Sequence, residues 1–457
     1  MGLLSFLDRE RTIAKPGYSR WMVPPAALCV HLCIGQAYAL SVFNLPMTKL
    51  LGISQSVPGD WKLTELGWIF SIAMAVLGIS AAVFGPRRAM FTAGCLWAGG
   101  FFLSAIGVAA HNIWLIYLGY GVFGGCALGI GYISPVSTLM KWFPDRPGMA
   151  TGMAIMGFGG GAMIASPLSV WLMSKFQTAT HVGVMETFCV MGAIYFCFMM
   201  VGANIVRIPA PGWKQEGYVA PKQAQRLITA SDVYVYDAVK TPQFWLIWTV
   251  LFLNTTAGIG VLGQASAMSQ EMFPGHISPV AAAGLVGLMS LFNMGGRFTW
   301  ASVSDYIGRR NTYFVFMLLG LALYITVPFA GATGNVVLFV CCFLVIVSMY
   351  GGGFSTVPAY LRDMFGTRYV GAIHGIRLTA WSAAGIVGPV LINYIREYNV
   401  THGVPKAQAY NTTMYIMAGL LVVGFIANFF VKAVHARFHM KGDEAGLKTA
   451  AAAAARA

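Results

Sequence analysis

Long apolar stretches alternate with short polar loops along the chain. Twelve of these stretches approach or exceed the roughly 20 residues that an α-helix needs to cross a bilayer, and we number them spans 1–12. They cover residues 21–45, 66–84, 89–110, 112–140, 148–173, 183–206, 243–267, 279–303, 312–333, 335–361, 370–395 and 409–434. The pattern predicts an all-α membrane protein with twelve transmembrane helices.

A polar stretch in the middle of the chain separates six spans from six. It includes the sequence PAPGWKQEGYVAPKQAQR, and most of the extended polar sequence of the protein lies in this region. We therefore expect four parts, with the linker and the tail in the cytoplasm. These are a six-helix half at 1–206, a linker at 207–241, a second six-helix half at 242–434 and a tail at 435–457.

Lysine and arginine are concentrated in alternate loops. Of the 29 basic residues, 27 fall in loops or tails, with 22 on the side that carries both termini and 5 on the other side. Because cytoplasmic loops carry the excess of positive charge, we expect both termini in the cytoplasm and a multi-pass protein in the inner (plasma) membrane. The net charge of +14 does not indicate nucleic acid, since the sequence has no basic helix face.

Composition narrows the classes of function. Only 10% of the residues are charged, against about 25% in soluble proteins, so lipid is expected to cover most of the surface. All eight cysteines lie in apolar segments, which argues against disulfide or metal roles. We find no phosphate-binding loop, metal-ligand spacing or nucleophile–base arrangement. The expectation is a monomer in the bilayer with a small-molecule substrate, without enzyme activity, metal, cofactor or nucleic acid.

The two halves repeat the same landmarks at one offset. Trp245 follows Trp21 by 224 residues, Gly308 follows Gly85 by 223, and Phe365 follows Phe143 by 222. Two six-helix pseudo-repeats with shared loop chemistry resemble the major facilitator superfamily. The resemblance implies a substrate site between the halves near the middle of the membrane.

The loop after span 8 resembles the signature of that superfamily, a small residue followed by Asp, Gly and two basic residues. Here these are Asp305, Gly308, Arg309 and Arg310. The resemblance implies a cytoplasmic gate in which the Asp and Arg side chains pair with neighbouring helix ends; the alternative is an ordinary basic turn. The first-half copy keeps Arg87 and Arg88, but Ala82 replaces the Asp.

Two arginines lie inside apolar spans, and no acidic residue is clearly embedded with them. Arg297 is in span 8 and Arg377 in span 11, each roughly 12 Å inside the cytoplasmic boundary at about 1.5 Å per helical residue. A buried arginine costs at least about 2.5–3.5 kcal/mol without a partner, and its planar fork suits a carboxylate. We expect Arg297 to bind a substrate anion, with Asn293 one turn away on the same helix face. Structural roles remain alternatives, and Arg377 is a second anion contact or a gate.

Other polar and aromatic residues in these spans are secondary candidates for the substrate site, although packing is the default role of each aromatic. His31 and His374 are the plausible proton carriers near the midplane, with a satisfied core histidine as the alternative. The candidate set is Gln36, His31, Tyr38, Tyr132, Tyr350 and His374.

Four landmarks resemble the oxalate/formate antiporter group of the superfamily, which is related to the monocarboxylate transporters. They are Thr241-Pro-Gln-Phe-Trp245, Leu291-Phe-Asn293 with Arg297, Trp142-Phe-Pro-Asp145 and Asp363-Met-Phe-Gly-Thr367. The resemblance implies alternating-access transport of small carboxylates, with anion exchange as the main reading and proton-coupled monocarboxylate symport as the alternative.

The same resemblance assigns roles to particular residues. Arg297 matches an arginine that holds a substrate carboxylate, and Tyr38 and Tyr132 match aromatic cage positions. Trp381 stands where oxalate exchangers have a second cation, a lysine, which leaves formate, lactate and pyruvate open as substrates. Asn293 replaces an Asp that takes part in proton coupling in the monocarboxylate branch, and an amide cannot titrate.

Overall fold

A computed structural model describes residues 5–80, 85–215, 229 and 231–440. Span 1 comprises the α-helices Val23–Ile34 and Ser41–Met47, joined by the 3-10 stretch Gly35–Ala39. Spans 2–6 are Leu63–Ile79, Pro86–Ala109, Ile113–Trp142, Pro147–Phe176 and Val184–Ile205. Spans 7–12 are Pro242–Met272, Pro279–Ile307, Arg309–Ala332, Val336–Phe365, Val370–Thr401 and Asn411–Phe429.

The twelve-helix prediction is confirmed. Ten helices of the described chain are long and apolar enough to cross a membrane, and spans 2 and 8 complete the set. The helices extend a few residues beyond many of the predicted apolar segments because polar caps continue the helix past its apolar part. Residues 81–84 of predicted span 2, residues 216–228 and 230 of the central linker, and residues 441–457 lie outside the described residues.

The described segments before span 1, after span 12 and on either side of the central linker lie at one end of the bundle, which we call the tail face. Ile13 of the N-terminal segment forms a bridge with Ile208 after span 6, and Val233 of the linker forms one with His439 after span 12. The segment before each half is therefore paired with the segment after it. This pairing extends the internal repeat beyond the helices.

The two halves pack through helices with small side chains. Span 5 lies along span 8, where a Cβ atom at Gly148 would overlap the carbonyl oxygen of Ala301 and one at Gly152 would lie 2.9 Å from that of Arg297. Span 2 meets span 11, where Ser382 Oγ donates to the Met74 carbonyl at 2.5 Å. Glycine permits this close approach of backbones, as in other membrane helix pairs.

Three spans depart from regular α-helix. Span 1 tightens into the 3-10 stretch that carries Tyr38, and span 11 is interrupted at Leu378, directly after Arg377. Span 4 contains a π-helical segment, Tyr117–Phe123. The irregular segments of spans 1 and 11 place Tyr38 and Arg377 at points where the regular α-helical hydrogen bonding is interrupted.

Candidate substrate-binding site

Arg297 is fully buried and only partly hydrogen-bonded. Its Nε donates to Asn293 Oδ1 at 2.8 Å, so the one-turn spacing brings the two side chains together as expected. Nη1 and Nη2 have no hydrogen-bond partner. Within the described residues no carboxylate pairs with this guanidinium. Two donors of a buried cation are therefore free for an anion.

Glycines make the space for this arginine. A Cβ atom at Gly159 of span 5 would lie 3.1 Å from Arg297 Nε, and one at Gly351 of span 10 would lie 3.1 Å from Arg297 Cγ. Either substitution would push on the guanidinium or on its stem. The glycine-rich segments of spans 5 and 10 thus position the arginine at the junction of the two halves.

Aromatic rings enclose Arg297. The rings of Phe158 and Phe354 each lie with their centroids 5.5 Å from the guanidinium carbon. Phe158 packs against Tyr38, Tyr132 and Trp381, and Phe354 packs against Tyr350 and Trp381, with centroid separations of 4.6 to 5.8 Å. The structure therefore gathers the four predicted aromatic residues around two phenylalanines.

Phe158 and Phe354 were not among the sequence candidates. Both lie in glycine-rich runs, Gly157-Phe158-Gly159 and Gly351-Gly-Gly-Phe354. An aromatic ring among glycines in a membrane helix faces a close helix contact, and this signal could have identified them.

Neutral donors in the same cluster also lack partners. The Tyr132 hydroxyl and Trp381 Nε1 are buried without a hydrogen bond, whereas the Tyr38 and Tyr350 hydroxyls lie 3.2 Å apart and bond to each other across the two halves. Buried donors without partners are uncommon because each one costs free energy. Their concentration around Arg297 suits a ligand with several acceptor oxygens.

Arg377 lies on a different side of the cluster. It is fully buried, and its Nη2 donates to the Ile247 carbonyl of span 7 at 2.9 Å, while Nε and Nη1 have no partner. Tyr313 is adjacent to it, and Tyr132 lies within the electrostatic range of both arginines. Arg377 is therefore anchored in the second half and retains two free donors.

The remaining predicted residues are placed differently. His31 Nδ1 contacts the Ala154 carbonyl at 2.5 Å and Nε2 the Tyr132 carbonyl at 3.2 Å, so both ring nitrogens face backbone oxygens. Gln36 Oε1 accepts from Tyr120 at 2.7 Å, in the aromatic interior of the first half. His374 is buried beside Tyr132, and its Nδ1 has no partner. Both His31 nitrogens thus face backbone oxygens, whereas Gln36 keeps one buried donor, Nε2, without a partner, and substrate contacts of these two residues remain predictions.

The motif after span 8 joins the halves at the tail face. Asp305 Oδ1 and Oδ2 accept from the backbone nitrogens of Gly148 and Met149, both at 2.9 Å, at the beginning of span 5. A carboxylate at a helix N-terminus is favoured by the unsatisfied N–H groups and by the helix dipole. From the same half, Arg362 donates to the Pro144 carbonyl at 3.3 Å.

The arginines of this motif bond within the second half. Arg309 bonds to Asp305 and Ser304, and its Nε lies 3.2 Å from Asp363 Oδ2. Arg310 donates to the carbonyls of Asn428 and Phe429 at the end of span 12. Gly308, between Asp305 and the arginines, has a φ of 87°, which glycine adopts without strain.

The first-half copy is different. Arg87 donates from Nη1 to the Phe6 carbonyl of the N-terminal segment at 2.8 Å, and Arg88 is exposed. Ala82 lies outside the described residues. Neither arginine reaches the other half through any hydrogen bond of the described chain, so the tail-face contact rests on Asp305 and Arg362.

The two arginines of the site are buried. Arg297 and Arg377 have no exposed area, the halves are bridged at the tail face, and the Tyr38–Tyr350 pair joins them a second time. Among the described residues no group of three or more His, Cys, Asp or Glu side chains could hold a metal ion. The arrangement offers buried cationic and neutral donors among aromatic rings, and we call this region the chamber.

Comparison with known sequences gives one family and a consistent set of relatives. The Major Facilitator Superfamily profile matches residues 26–389. The chain is 26% identical over 365 residues to the uncharacterized MFS-type transporter YhjX of Escherichia coli, covering 78% of this chain and 84% of that protein. It is 27% identical to the oxalate:formate antiporter of Oxalobacter formigenes (81% and 83% covered) and 22% identical to apicoplast pyruvate carrier 1 of Toxoplasma gondii (85% and 86%).

Comparison with solved structures supports the same fold. The FucP transporter in its outward conformation aligns with a TM-score of 0.64 at 14% identity, covering 91% of this chain. The proton:xylose symporter XylE aligns with a TM-score of 0.66 at 14% identity, covering 90%. With twelve helices in two halves and a family match over most of its length, this chain belongs to the major facilitator superfamily.

Proposed function

We propose that this protein transports small organic carboxylates by alternating access, with anion exchange as its mode. The observation that carries the proposal is the fully buried Arg297, whose Nη1 and Nη2 have no partner in a chamber of aromatic rings. A carboxylate accepts two parallel hydrogen bonds from such a fork and compensates its charge. The names of two relatives, an oxalate:formate antiporter and a pyruvate carrier, support this class of substrate.

In the proposed site the cation binds the carboxylate and neutral donors orient the rest of the anion. Asn293 fixes the guanidinium through Nε, so the other two nitrogens point to the ligand. The Tyr132 hydroxyl and Trp381 Nε1 supply donors for further oxygens, and Arg377 provides a second, more distant anion contact. Tyr38 and Tyr350 separate when the chamber opens on their side.

Exchange follows from the charge of the empty site. Two buried cations without carboxylates repel each other and are poorly solvated, so the halves reorient with greatest ease when an anion is bound. Asp305 at the start of span 5 stabilises the state that is closed at the tail face. We place both termini in the cytoplasm on the basis of loop charge and the protein in the inner membrane as a monomer.

The experiment is uptake of labelled formate, oxalate, lactate and pyruvate into proteoliposomes. Each anion is tested with and without internal anion, and with and without a pH gradient. Exchange predicts uptake that depends on internal anion and is indifferent to the pH gradient. Uptake into empty vesicles driven by inward protons would instead make the protein a monocarboxylate symporter, and absence of uptake of all four anions would contradict the proposed substrate class.

A further inference from the structure

Arg87, at the tail-face end of span 3, is a buried cation that the transport site does not use. The residue is 5% exposed, and Nη1 is the one guanidinium nitrogen with a hydrogen bond, which it donates to the Phe6 carbonyl. Nε and Nη2 have no hydrogen-bond partner. Among the described residues no carboxylate forms an ion pair with it. The guanidinium thus carries charge and two donors without compensation.

The second half shows how the arginine equivalent to Arg87 is hydrogen-bonded. Span 9 begins after Gly308 and span 3 after Gly85, so Arg310 and Arg87 are each the second residue of their helix. Arg310 donates to the last carbonyls of span 12, those of Asn428 and Phe429. Arg87 makes no such bonds to the end of span 6, its counterpart of span 12.

Another arginine occupies those carbonyls in the first half. Arg207 donates from Nη1 to the carbonyls of Asn204, Ile205 and Val206 at the end of span 6, and the Tyr18 hydroxyl donates to that of Ile205 at 3.0 Å. Burial raises the pKa of Tyr18, while the charges of Arg207 and Arg87 act to lower it. Tyr18 and Arg207 thus share the Ile205 carbonyl. The same end of span 6 packs on the beginning of span 3, where a Cβ atom at Gly202 would lie 3.3 Å from Met90 Cε, one turn after Arg87, and the two guanidinium groups act on each other as like charges.

The sequence repeat removes the acidic residues that would offset these charges. Asp305 and Asp363 bond to Arg309 in the second half. The repeat offsets of 223 and 222 residues place Ala82 and Lys141 at the corresponding first-half positions. In the first half, a neutral residue and a basic residue therefore stand at the two positions that are acidic in the second half. This is the half in which Arg87 and Arg207 lie together.

We propose that Arg87 and Arg207 form a binding site for a phosphate oxyanion at the tail-face end of spans 3 and 6. The planar fork of Arg87 suits two phosphate oxygens, and the half-buried Arg207 forms the open side of the site. The phosphate comes from the headgroup of an anionic phospholipid or from free inorganic phosphate. Basic pockets at helix ends on one side of a membrane recognise such headgroups. This site is independent of the carboxylate site and goes beyond the proposed transport.

The test measures the thermal stability of the purified full-length protein in a neutral detergent. Phosphatidylglycerol, phosphatidylcholine and inorganic phosphate are titrated separately against the wild type, Arg87→Gln, Arg207→Gln and the exposed control Lys214→Gln. Saturating anion is expected to raise the wild-type Tm by about 5 °C. Each arginine variant is expected to lose most of that rise, whereas the control keeps it.

The separate titrations distinguish the two sources of phosphate. A rise with phosphatidylglycerol alone assigns the site to a lipid headgroup, and a rise with inorganic phosphate as well assigns it to the oxyanion in either form. Without anion, Arg87→Gln is expected to be at least as stable as the wild type, because an uncompensated buried charge is removed. If that variant does not fold, the test rests on Arg207→Gln. The number of phosphatidylglycerol molecules that this variant and the wild type retain is then compared by native mass spectrometry. An anion response that is equal in the wild type and the arginine variants overturns the proposal.

Discussion

The two halves of the bundle share a fold and a repeat, but they contribute different chemistry to the central chamber. The second half provides Arg297, Asn293 and Arg377, together with Trp381. The first half faces them with the ring of Phe158, the hydroxyl of Tyr132 and glycine backbone. Because the charge lies in one half only, an anion can remain with the second half while the first half moves against it.

The tail face shows the same asymmetry. In the second half Asp305 bonds to the beginning of span 5 in the other half, and each of the three guanidinium nitrogens of its partner Arg309 makes a hydrogen bond. In the first half Arg87 pairs with no carboxylate of the described residues and makes no hydrogen bond to the part of the other half that the structure describes. A duplicated motif has thus kept its bridging role in one copy only. Substitutions at these residues and the pH dependence of exchange test this division.

Arg297→Gln is the most direct way to break the division. We expect at least about a 100-fold loss of carboxylate uptake, because removing the charged partner of a buried ion pair costs about 2–5 kcal/mol. The protein should still fold, since the variant also removes an uncompensated buried charge. Initial uptake rates in proteoliposomes give the loss, and gel filtration with a thermal melt checks the fold. Arg297→Lys, which keeps the charge without the fork, should recover part of the activity.

Arg377→Gln distinguishes the two arginines of the second half. Arg377 already donates to the Ile247 carbonyl, so we expect a smaller effect, a KM raised about 10-fold, consistent with a distant charge contact. Uptake measured over a range of substrate concentrations separates KM from the maximal rate. A fall in the maximal rate with unchanged KM would instead assign Arg377 to gating.

Asp305→Asn tests the bridge at the tail face. The variant keeps an acceptor but loses the charge at the start of span 5 and the ion pair with Arg309, and we expect exchange about 5–10-fold slower with little change in KM. Asp145→Asn is the matched control, because Asp145 pairs with Arg20 inside the first half at 2.9 Å. Its rate should stay within about twofold of the wild type, as for an exposed ion pair. Equal losses in the two variants would contradict the division at this face.

Tyr132→Phe and Trp381→Phe compare the neutral donors of the two halves. Each substitution removes one unpartnered donor and keeps an aromatic ring, so we expect KM to rise about threefold to tenfold in each case. Formate, with fewer acceptor oxygens, should be affected less than oxalate. If both variants transport oxalate with wild-type KM, neither donor touches the substrate.

The smallest effect is expected from pH. The polar groups that line the chamber are Arg and Tyr side chains, whose ordinary pKa values lie far from about pH 6 to 8, and Trp and Asn side chains, which do not titrate. Both His31 nitrogens face carbonyl oxygens. Exchange should therefore vary by less than about twofold over that range, and His374→Gln should leave it unchanged. If exchange instead depended steeply on pH and His374→Gln abolished that dependence, His374 would be assigned the role of proton carrier.

Much of this arrangement could be predicted from the sequence because the relevant signals are local. The helix count follows from apolar length, and Asn293 with Arg297 follows from the one-turn spacing. The contact of Asp305 with the start of span 5 was expected in kind, since the motif implies a bond to a neighbouring helix end, but its partners Gly148 and Met149 depend on which helices meet.

The positions of other residues could not be derived from the sequence, for a physical reason. Gln36 and Tyr38 are two residues apart, and residues at that spacing do not share a helix face. Tyr38 lies in the chamber and Gln36 bonds to Tyr120 inside the first half. Phe158 and Phe354 carry no polar group, so a search for charged and polar candidates passes over them. Their role depends on the packing of spans 5 and 10 around Arg297, which no local pattern encodes.

The central claim is that the unpaired nitrogens of Arg297 bind a carboxylate. Equilibrium binding of oxalate and formate to the purified protein, measured by calorimetry for the wild type, Arg297→Gln and His374→Gln, tests it without requiring transport. We expect binding to the wild type and to His374→Gln, and loss of binding in a folded Arg297→Gln variant. Carboxylate binding of wild-type strength by Arg297→Gln would contradict it.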